Sequence, residues 1–360
     1  MGFGGFGGIV KAVSKAVGFV KNMNPLVSLG VTLFLAWAFR PKVPEIEDFG
    51  TNEFDDFERG LLLNKQSNDA NVPVVYGERL IGGTRVFMET SGTDNTYLYM
   101  ALVLSEGEIN SIEEIRVDDK VVTFASAFSD GTAVEVDSSD SNFYKNSESL
   151  IRLEPHFGTD SQTASTTLST LSSWGTNHRL RGLCYLAIRF KWNQDAFTGI
   201  PKVQAKIKGK KVVAYNSSLV AQTAAHSTNP AWCLLDYLTN ERYGKDIAIS
   251  EIDLQSFYDA SVICETQVTP YSSGSDINIF DTNAAIDTSQ KIIDNVREML
   301  KGCRGYLPYV GGKYKLIIET TGSAAITLTE DDIIGGYNLS IPTKNERYNR
   351  VIVGFVNPDR

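Results

Sequence analysis

The sequence is poor in the residues that most often build catalytic and metal sites. Among 360 residues there are only four cysteines and three histidines. The cysteines are Cys184, Cys233, Cys264 and Cys303, and no C-x-x-C pair occurs. We expect all four to be buried and reduced, because widely spaced cysteines in apolar surroundings usually act as small core residues. His156, His178 and His226 lack metal-ligand spacing, so we expect surface or hydrogen-bonded polar residues and no metal site.

Sequence signatures of known catalytic sites are also missing. There is no G-x-S-x-G, no H-E-x-x-H and no Walker loop. The run Gly2–Gly7 fits G-x-G-x-x-G, but no strand precedes it, so it does not predict a nucleotide site. The acidic pairs Asp118-Asp119 and Asp331-Asp332 are typical of a turn and a helix cap. We predict no catalytic residue, no cofactor and no enzyme. A cell-wall hydrolase, which needs two carboxylates about 5 to 9 Å apart, is the enzymatic alternative.

Basic residues are fewer than acidic residues. The chain has 43 acidic and 34 basic residues and a net charge of −9, so it has no broad basic face for neutralising phosphates. We therefore expect no direct contact with nucleic acid. Trp232 and Tyr243 could form a stacking platform for a sugar or base, but their helical spacing beside leucines favours packing in a core.

The sequence has no hydrophobic run long enough to span a membrane readily. The uncharged stretch Leu26–Phe39 is shorter than the about 20 residues that such a helix needs. With the Gly/Phe run Met1–Gly8 and the weakly amphipathic stretch Ile9–Lys21, it predicts hydrophobic helices within residues 1–40. We prefer a helix buried between protein chains, with a membrane anchor as the alternative. The proposed interaction residues are Phe3, Phe6, Leu26, Leu29, Leu33, Phe34, Leu35 and Trp37.

The rest of the chain predicts an α+β protein that is mostly β. Residues 41–71 read as an acidic linker, which is either solvated or a strap on a neighbouring subunit. Short alternating runs in residues 72–213 predict a β-barrel or sandwich, with surface loops at Ala125–Ser149 and Thr159–Asn177 and a hairpin turn at Asp118-Asp119.

Residues 214–345 predict an α+β domain with three helices. The helix Pro230–Leu238 is capped by Asn229 and stopped by Gly244 after a basic turn. The helix Glu251–Cys264 has Ser250 as its cap. The third, Thr288–Lys301, has Asp287 and Gln290 in capping-box positions and Gly302 as its stop. A hairpin with the turn Gly311-Gly312 follows. Residues 346–360 read as the first strand of a further β segment, so we expect the chain to be truncated.

The amino-acid sequence of the first of these helices and of the residues after it is the most informative feature. Residues 229–244 read Asn-Pro-Ala-Trp-Cys-Leu-Leu-Asp-Tyr-Leu-Thr-Asn-Glu-Arg-Tyr-Gly. This stretch resembles the central tail-tip protein J family of lambda-like, long-tailed bacteriophages, and similar features follow in the same order to residue 360. The front half matches related hub proteins more loosely, through Pro73-Val-Val-Tyr-Gly77 and Gly82-Gly83. The family-motif positions are Asn229, Pro230, Trp232, Arg242, Tyr243, Gly244, Asn349 and Pro358.

The resemblance implies a structural virion protein at the distal tip of a phage tail, assembled in the host cytoplasm. It implies a homotrimeric hub that closes the tail tube and contacts the distal tail protein, the tape-measure protein and other tube or tip proteins. It also implies a role in host attachment and genome delivery, although the family's receptor-binding domains lie beyond the matched region. A membrane-active tail protein, which inserts its N-terminal helices into the host envelope, is the other alternative.

Overall fold

The computed structural model describes residues 62–64, 71–269, 275–320, 326–332, 334–335 and 350. The chain divides into two compact units, Met1–Phe57 and Glu58–Arg360, and every described residue belongs to the second unit. The helices predicted within residues 1–40 and the strand predicted within residues 346–360 lie outside the described residues. Most of the predicted acidic linker lies outside them as well.

The described part is mostly β, as predicted. Its strands are β1 (Val74–Tyr76), β2 (Glu78–Ile81), β3 (Thr84–Ser91), β4 (Tyr97–Glu106), β5 (Ile109–Val117), β6 (Lys120–Val121), β7 (Val134–Glu135), β8 (Tyr144–Lys145), β9 (Glu148–Ser149), β10 (Ile151–Phe157), β11 (Leu183–Lys191), β12 (Val203–Val212), β13 (Ala225–His226), β14 (Gln267–Val268), β15 (Ile277–Asn278), β16 (Ala284–Ile286), β17 (Gly305–Tyr306), β18 (Tyr309–Val310), β19 (Lys313–Tyr314) and β20 (Ile317–Ile318). Its α-helices are α1 (Pro230–Thr239), α2 (Leu254–Cys264) and α3 (Ile292–Cys303).

Two antiparallel sheets build the first half. One sheet has the order β3-β4-β11-β10-β7, and the other has the order β13-β12-β5-β6 with β2 also paired to β12. Their buried side chains share one hydrophobic cluster, which we call the sandwich core and which includes Leu102, Ile115, Leu186 and Ile207. Strand alternation explains this arrangement, because Val203, Ala205 and Ile207 of β12 are buried together on one face. The prediction of a mostly β, α+β protein, with a β-barrel or sandwich followed by an α+β region, is confirmed.

The three helices pack around a second cluster, which we call the helical core. It contains Trp232 of α1, Phe257 of α2, Val296 of α3 and Ile318 of β20. Strand β1 lies between the two cores. Val75 belongs to the sandwich core, whereas Val74 and Tyr76 belong to the helical core, and β1 pairs with β16 far along the chain. The division into domains 72–213 and 214–345 stays a prediction.

Both predicted tight turns are present. Asp118 and Asp119 have φ values of 49° and 63° between β5 and β6. Gly311 and Gly312 have φ values of 63° and 79° between β18 and β19. A two-residue hairpin loop needs positive φ at both of its residues to match the right-handed twist of the flanking strands. Gly and Asp adopt positive φ at low cost.

The starts of two helices differ from the prediction. Helix α2 begins at Leu254, and its N-cap is Asp253, not Ser250, which lies in a separate 3-10 turn, Ile249–Glu251. Helix α3 begins at Ile292, because Asp287 is used earlier: its carboxylate accepts a bond from Ser289 N at 2.8 Å and closes a turn. The predicted capping box of Asp287 and Gln290 is therefore wrong.

The predicted stop of α3 is wrong as well. The helix continues through Gly302 to Cys303 and ends at Arg304, which adopts the left-handed conformation with φ of 52°. The N–H of Arg304 donates to the carbonyls of Leu300 and Lys301, so the left-handed residue supplies a hydrogen-bond donor to carbonyl groups in the last turn of the helix.

The stretch Ala125–Ser149 is mostly exposed and irregular, as its Ser/Asp/Asn content predicts, but it also has buried parts. It contributes β7 to the first sheet, and Val134, Val136 and Phe143 are buried in the sandwich core. Asp140 organises it, since its carboxylate accepts bonds from Thr123 N, Asn142 N and Phe143 N. Three widely spaced apolar residues give no local period, so the pattern could not reveal them.

The second predicted loop, Thr159–Asn177, covers the outer face of the first sheet. Leu168, Leu171 and Trp174 pack there in a third cluster. The buried carboxylate of Glu154 holds the loop: it accepts bonds from Ser165 Oγ at 2.8 Å, Thr166 N at 2.9 Å, Thr166 Oγ1 at 3.0 Å and Thr167 N at 2.7 Å. Burial raises the pKa of Glu154, but the adjacent His156 ring and the backbone bonds from Thr167 and Thr166 together hold this pKa well below its usual range.

The histidines differ from one another. His156 is buried, so its assignment as an ordinary surface or hydrogen-bonded residue is wrong. Its Nε2 lies 3.3 Å from Glu154 Oε1, and its ring stacks on Tyr185 with centroids 4.3 Å apart. Neither ring nitrogen has a hydrogen-bond partner among the described residues. His178 is exposed and its Nδ1 accepts from Gly175 N, as expected for a surface residue. His226 is half-buried, and burial lowers its pKa.

The described piece of the predicted linker lies against its own chain. Asn64 accepts a bond from Val203 N at 2.7 Å and donates to Val203 O at 2.7 Å. The carbonyl of Leu62 accepts from Gln204 at 3.0 Å.

All four cysteines are buried, as predicted. Among the described helices, none is both long enough and apolar enough to cross a membrane.

Candidate functional site

The residues of the sequence motif form the junction between the two cores. Asn229 begins the motif and is almost fully buried. Its side-chain oxygen accepts a bond from Ala231 N at 3.0 Å and so caps α1. Its side-chain nitrogen donates to Ser261 O at 3.1 Å and to a Glu265 carboxylate oxygen at 2.8 Å. One side chain therefore starts α1 and fastens it to the end of α2.

Pro230 and Trp232 contribute packing. Pro230 occupies the first turn of α1, where its missing N–H costs nothing. Trp232 is 4% exposed and its ring centroid lies 6.1 Å from that of Tyr215. Such burial leaves no face for stacking a sugar or base, so the prediction that Trp232 is a core residue is confirmed.

Two polar groups on α1 point to other elements. The carboxylate of Asp236 accepts bonds from the hydroxyl of Tyr76 on β1 at 2.6 Å and from that of Tyr243 at 2.7 Å. The hydroxyl of Tyr237 accepts a bond from the Asn295 side chain of α3 at 2.8 Å. These contacts tie α1 to β1 on one side and to α3 on the other.

The shared carboxylate shifts the titration of both phenols. Burial raises the pKa of Tyr76 well above its ordinary value, and the negative charge of Asp236 raises it further. The pKa of Tyr243 is raised by the same two causes in the same order. Both phenols are therefore held in the protonated form, in which each can donate to Asp236.

Arg242 reaches from the motif to the first sheet. Its guanidinium lies 2.7 Å from the carboxylate of Glu106 at the end of β4. Burial raises the pKa of Glu106, while Arg242 and Lys210 act in the opposite direction. Arg242 is largely exposed, whereas the Glu106 side chain is 10% exposed, so the ion pair closes the rim of the junction.

Gly244 does not stop the helix, because α1 ends at Thr239 with Asn240 as its C-cap and no basic residue in its last turn. The predicted role is therefore wrong, and the structural role is close packing. A Cβ at residue 244 would lie 1.9 Å from Tyr237 O and 2.7 Å from Asn240 O. Only glycine lets the chain pass this close to the end of α1.

A groove of about 860 Å³ runs beside this junction. Val72, Leu183, Leu238 and Leu307 are among its apolar lining residues, and Arg242 lies at its edge. Within the part of the chain that the structure describes, no three His, Cys, Asp or Glu residues cluster so as to hold a metal. The arrangement can fasten elements together and receive an apolar segment.

Sequence reasoning missed the partners of the motif. Tyr76 lies in the loosely matched run Pro73–Gly77, but nothing local connects it to Asp236. Glu106 and Asn295 are equally remote from the motif in sequence. The proposed interaction residues Phe3, Phe6, Leu26, Leu29, Leu33, Phe34, Leu35 and Trp37 lie outside the described residues, and so do the motif positions Asn349 and Pro358.

Comparison with known proteins supports the resemblance. The baseplate hub protein pb3 of Escherichia phage T5 is 26% identical over 341 residues, which cover 80% of this chain and 36% of the relative. The tip attachment protein J of Escherichia phage SECphi27 is 27% identical over 135 residues, which cover 36% of this chain and 11% of the relative. No family model matches the chain.

The predicted resemblance to phage tail-tip and hub proteins is thus confirmed by sequence similarity. These names also agree with the predicted place in a virion and with a structural role. The chain spans about a third of the length of pb3 and about a tenth of protein J. A chain of the virion of a native gene transfer agent particle aligns with a TM-score of 0.41 and 14% identity, covering 74% of this chain and 56% of that one. That likeness is too weak to establish a common fold.

Proposed function

We propose that this chain is the central hub at the distal tip of a bacteriophage tail. In this proposal three copies form a closed ring that caps the tail tube, contacts the distal tail and tape-measure proteins, and takes part in host attachment and genome delivery. The similarity to pb3 over most of the chain is the observation that carries the proposal. No cofactor, metal or direct nucleic-acid contact belongs to it.

The junction supports a mechanical role. A hub transmits load between the tube above and the tip below, so its parts need fixed relative positions. Asn229 and Asp236 fasten α1 to α2 and to β1, and Arg242, which follows α1 in the chain, pairs with Glu106 of β4. The motif residues that the structure describes therefore hold the elements of one copy in fixed positions. In a closed ring each contact between neighbouring copies is repeated by symmetry.

The N-terminal segment has a proposed role of its own. We propose that Phe3, Phe6 and the apolar residues of Leu26–Phe39 bury their surface in the lumen of the ring or against the tape-measure protein. Several hundred Å² at about 25 cal/mol per Å² gives on the order of 10 kcal/mol of gross driving force per chain before ordering costs. Insertion of this uncharged stretch into the host envelope is the second candidate, and flotation of the N-terminal peptide with liposomes tests it.

Electron microscopy of assembled particles tests the location. Antibody raised against residues 71–320 should label the distal tip of the tail and no other part of the virion. Label along the tube, or none on intact or opened particles, would contradict the proposal. Deletion of Met1–Arg40 should leave the sandwich folded, as judged by circular dichroism, and should stop tail assembly. Normal tips after this deletion would refute the role given to the N-terminal segment.

A further inference from the structure

The hairpin that runs from β17 to β20 has an unusual outward face. Its register is regular, since Tyr306 pairs with Ile317 and Val310 pairs with Lys313 across the turn. The opposite face carries Leu316 and Ile318 into the helical core. Because alternate residues of a strand share a face, the outward face, which we call the hairpin face, consists of Tyr306, Pro308, Val310, Lys313, Lys315 and Ile317.

The hairpin face combines apolar side chains with positive charge. Tyr306, Val310 and Ile317 are 60%, 53% and 50% exposed, although the solvated face of an antiparallel hairpin is usually polar. Residues 299–318 contain four basic residues and no acidic one, on a chain with a net charge of −9. Lys315 is paired with Asp253 at 3.2 Å, whereas Lys313 is exposed and has no ion-pair partner among the described residues. The face therefore suits a partner that is both apolar and acidic.

Another surface of the same chain has this composition. Residues 246–290 contain no lysine, arginine or histidine. At the end of α2 and along β15, Val262, Ile277 and Ile279 are 51%, 50% and 38% exposed. They are neighbours, because Thr266, which follows α2, accepts a bond from Ile279 N at 2.9 Å and donates one to Val262 O at 3.4 Å. We call this surface the acidic face, and it consists of Val262, Glu265, Thr266, Asp276, Ile277 and Ile279.

The acids of this surface are open to a partner. Glu265 and Asp276 are exposed, and neither is in an ion pair with any residue that the structure describes. Glu265 accepts a bond from the side chain of Asn229, and Asp276 accepts one from the hydroxyl of Thr269, so both are held by neutral donors. Their negative charge is therefore not neutralised within one copy.

The two faces do not meet within one copy. The hairpin is fastened to α2 by its inner side, where Leu316 N donates to Ser256 Oγ at 3.0 Å, so its outward face points away from that helix. We propose that the hairpin face of one copy packs on the acidic face of a second copy of this chain. Lys313 then lies against the acids, and the exposed apolar side chains of the two faces cover one another. The inference rests on the proposed trimer, and it names the contact between neighbouring copies.

The size of the hairpin face favours a ring over an isolated pair of copies. Strands that rise about 3.4 Å per residue and lie about 5 Å apart make this face roughly 24 Å long and 10 Å wide. A standard stable interface buries about 800 Å² on each partner, so one such contact is small. The contact joins different surfaces of the two copies, and contacts of this kind close into a ring or continue as a filament. Three copies that close into a ring leave neither face uncovered.

Substitution on the hairpin face tests the pairing. In native mass spectrometry, V310E/K313E should need at least a tenfold higher concentration than wild type to form trimers. Adding T266K/D276K, which makes the acidic face basic, should recover at least threefold of that loss. K120E/V121E makes the same two replacements beside the turn of another hairpin, where Val121 is 50% exposed, and should leave assembly unchanged. Trimers that form equally well in wild type and in V310E/K313E would overturn the inference.

Cross-linking between separately prepared chains tests the geometry. V310C and I277C, mixed and treated with a short bismaleimide, should give a covalent dimer that contains one chain of each kind. Neither variant should cross-link alone, because residue 310 faces residue 277 and not its own copy. A mixture of V310C with V121C is the control and should stay uncoupled. The native cysteines are buried and do not compete.

The outcomes separate the contact from the trimer. A trimer in which V310C and I277C do not couple overturns the contact and leaves the hub intact. Binding of wild type, but not of V310E/K313E, to vesicles of phosphatidylglycerol and phosphatidylcholine, with trimers unaffected, would assign the hairpin face to a membrane and also overturn it. A wild-type chain that is monomeric at all concentrations contradicts the proposed trimer itself.

Discussion

The hydroxyl of Tyr76 donates a 2.6 Å hydrogen bond to the carboxylate of Asp236, across 160 positions of sequence. Tyr76 is the last residue of β1, whose neighbour Val75 is buried in the sandwich core, and Asp236 lies on the helix of the sequence motif. The bond therefore links the two cores at the point where one strand belongs to both. Tyr243 donates to the same carboxylate oxygen, so a single acid holds two phenols.

Replacing this acid should weaken the fold. Asp236→Asn keeps the shape of the side chain but removes its negative charge, so the bonds from Tyr76 and Tyr243 are no longer made to an ionised acceptor. We expect the free energy of unfolding to fall by about 2 to 4 kcal/mol, measured by urea denaturation. Asp259→Asn, an exposed helical acid that accepts a bond from Gln255, is the control and should change it by about 0.5 kcal/mol or less. Equal effects of the two substitutions would contradict the role of Asp236.

Alkaline pH should release the same contact. Because the folded-state pKa of Tyr76 and that of Tyr243 are raised above the unfolded value of 10.0, their contribution to stability is fully present below pH 10. It is lost as pH rises above that value, by up to about 1.4 kcal/mol per pH unit for each phenol. The variant Tyr76→Phe/Tyr243→Phe should show a shallower loss of stability between pH 10 and 11.5. Tyr306→Phe, which removes an exposed phenol, should keep the wild-type slope; a wild-type slope in the double variant would argue against the shifts.

Gly244 should tolerate no side chain. Gly244→Ala places a methyl group 1.9 Å from the carbonyl oxygen of Tyr237, so the backbone must move. We expect a loss of at least about 2 kcal/mol in the free energy of unfolding. Gly302→Ala is the matched control, because a Cβ there meets nothing within 4 Å. It lies in α3 and should raise stability by about 0.5 to 1 kcal/mol. A neutral Gly244→Ala in thermal unfolding would show that the close approach is not required.

Glu154 should control the loop on the outer face of the first sheet. In Glu154→Gln an amide group that donates replaces an oxygen that accepts, and it faces the N–H groups of Thr166 and Thr167. We expect a loss of about 2 to 4 kcal/mol and faster trypsin cleavage after Arg179 and Arg181. Glu148→Gln, which removes an exposed partner of Lys191, should leave both measurements nearly unchanged. Unaltered cleavage in Glu154→Gln would show that other contacts hold the loop.

Features with local causes could be predicted from the sequence. Asn229 and Pro230 mark the start of α1 because a cap and a first-turn proline act within a few residues. The turns at Asp118-Asp119 and Gly311-Gly312 follow from backbone preferences of the same two residues that form them. The resemblance to tail-tip proteins also came from a continuous stretch of 16 residues.

Features that depend on distant partners could not be predicted. Nothing near Tyr76 shows that Asp236 will be its acceptor, and the pairing of β1 with β16 joins opposite parts of the chain. The predicted start of α3 was wrong for a related reason. The Asp287 carboxylate could either cap the helix or close a turn with Ser289 N, and in the structure it closes the turn. The burial of Phe143 in a polar stretch depends on Asp140, whose partners only the fold brings together.

The mass of the native assembly tests the central claim most directly. The purified 360-residue chain should give a particle of three times 39.6 kDa in native mass spectrometry at micromolar concentration, with no detectable hydrolysis of cell-wall material by the same sample. A particle of 39.6 kDa at every concentration, in a sample that cleaves cell-wall glycan or peptide, would contradict the account.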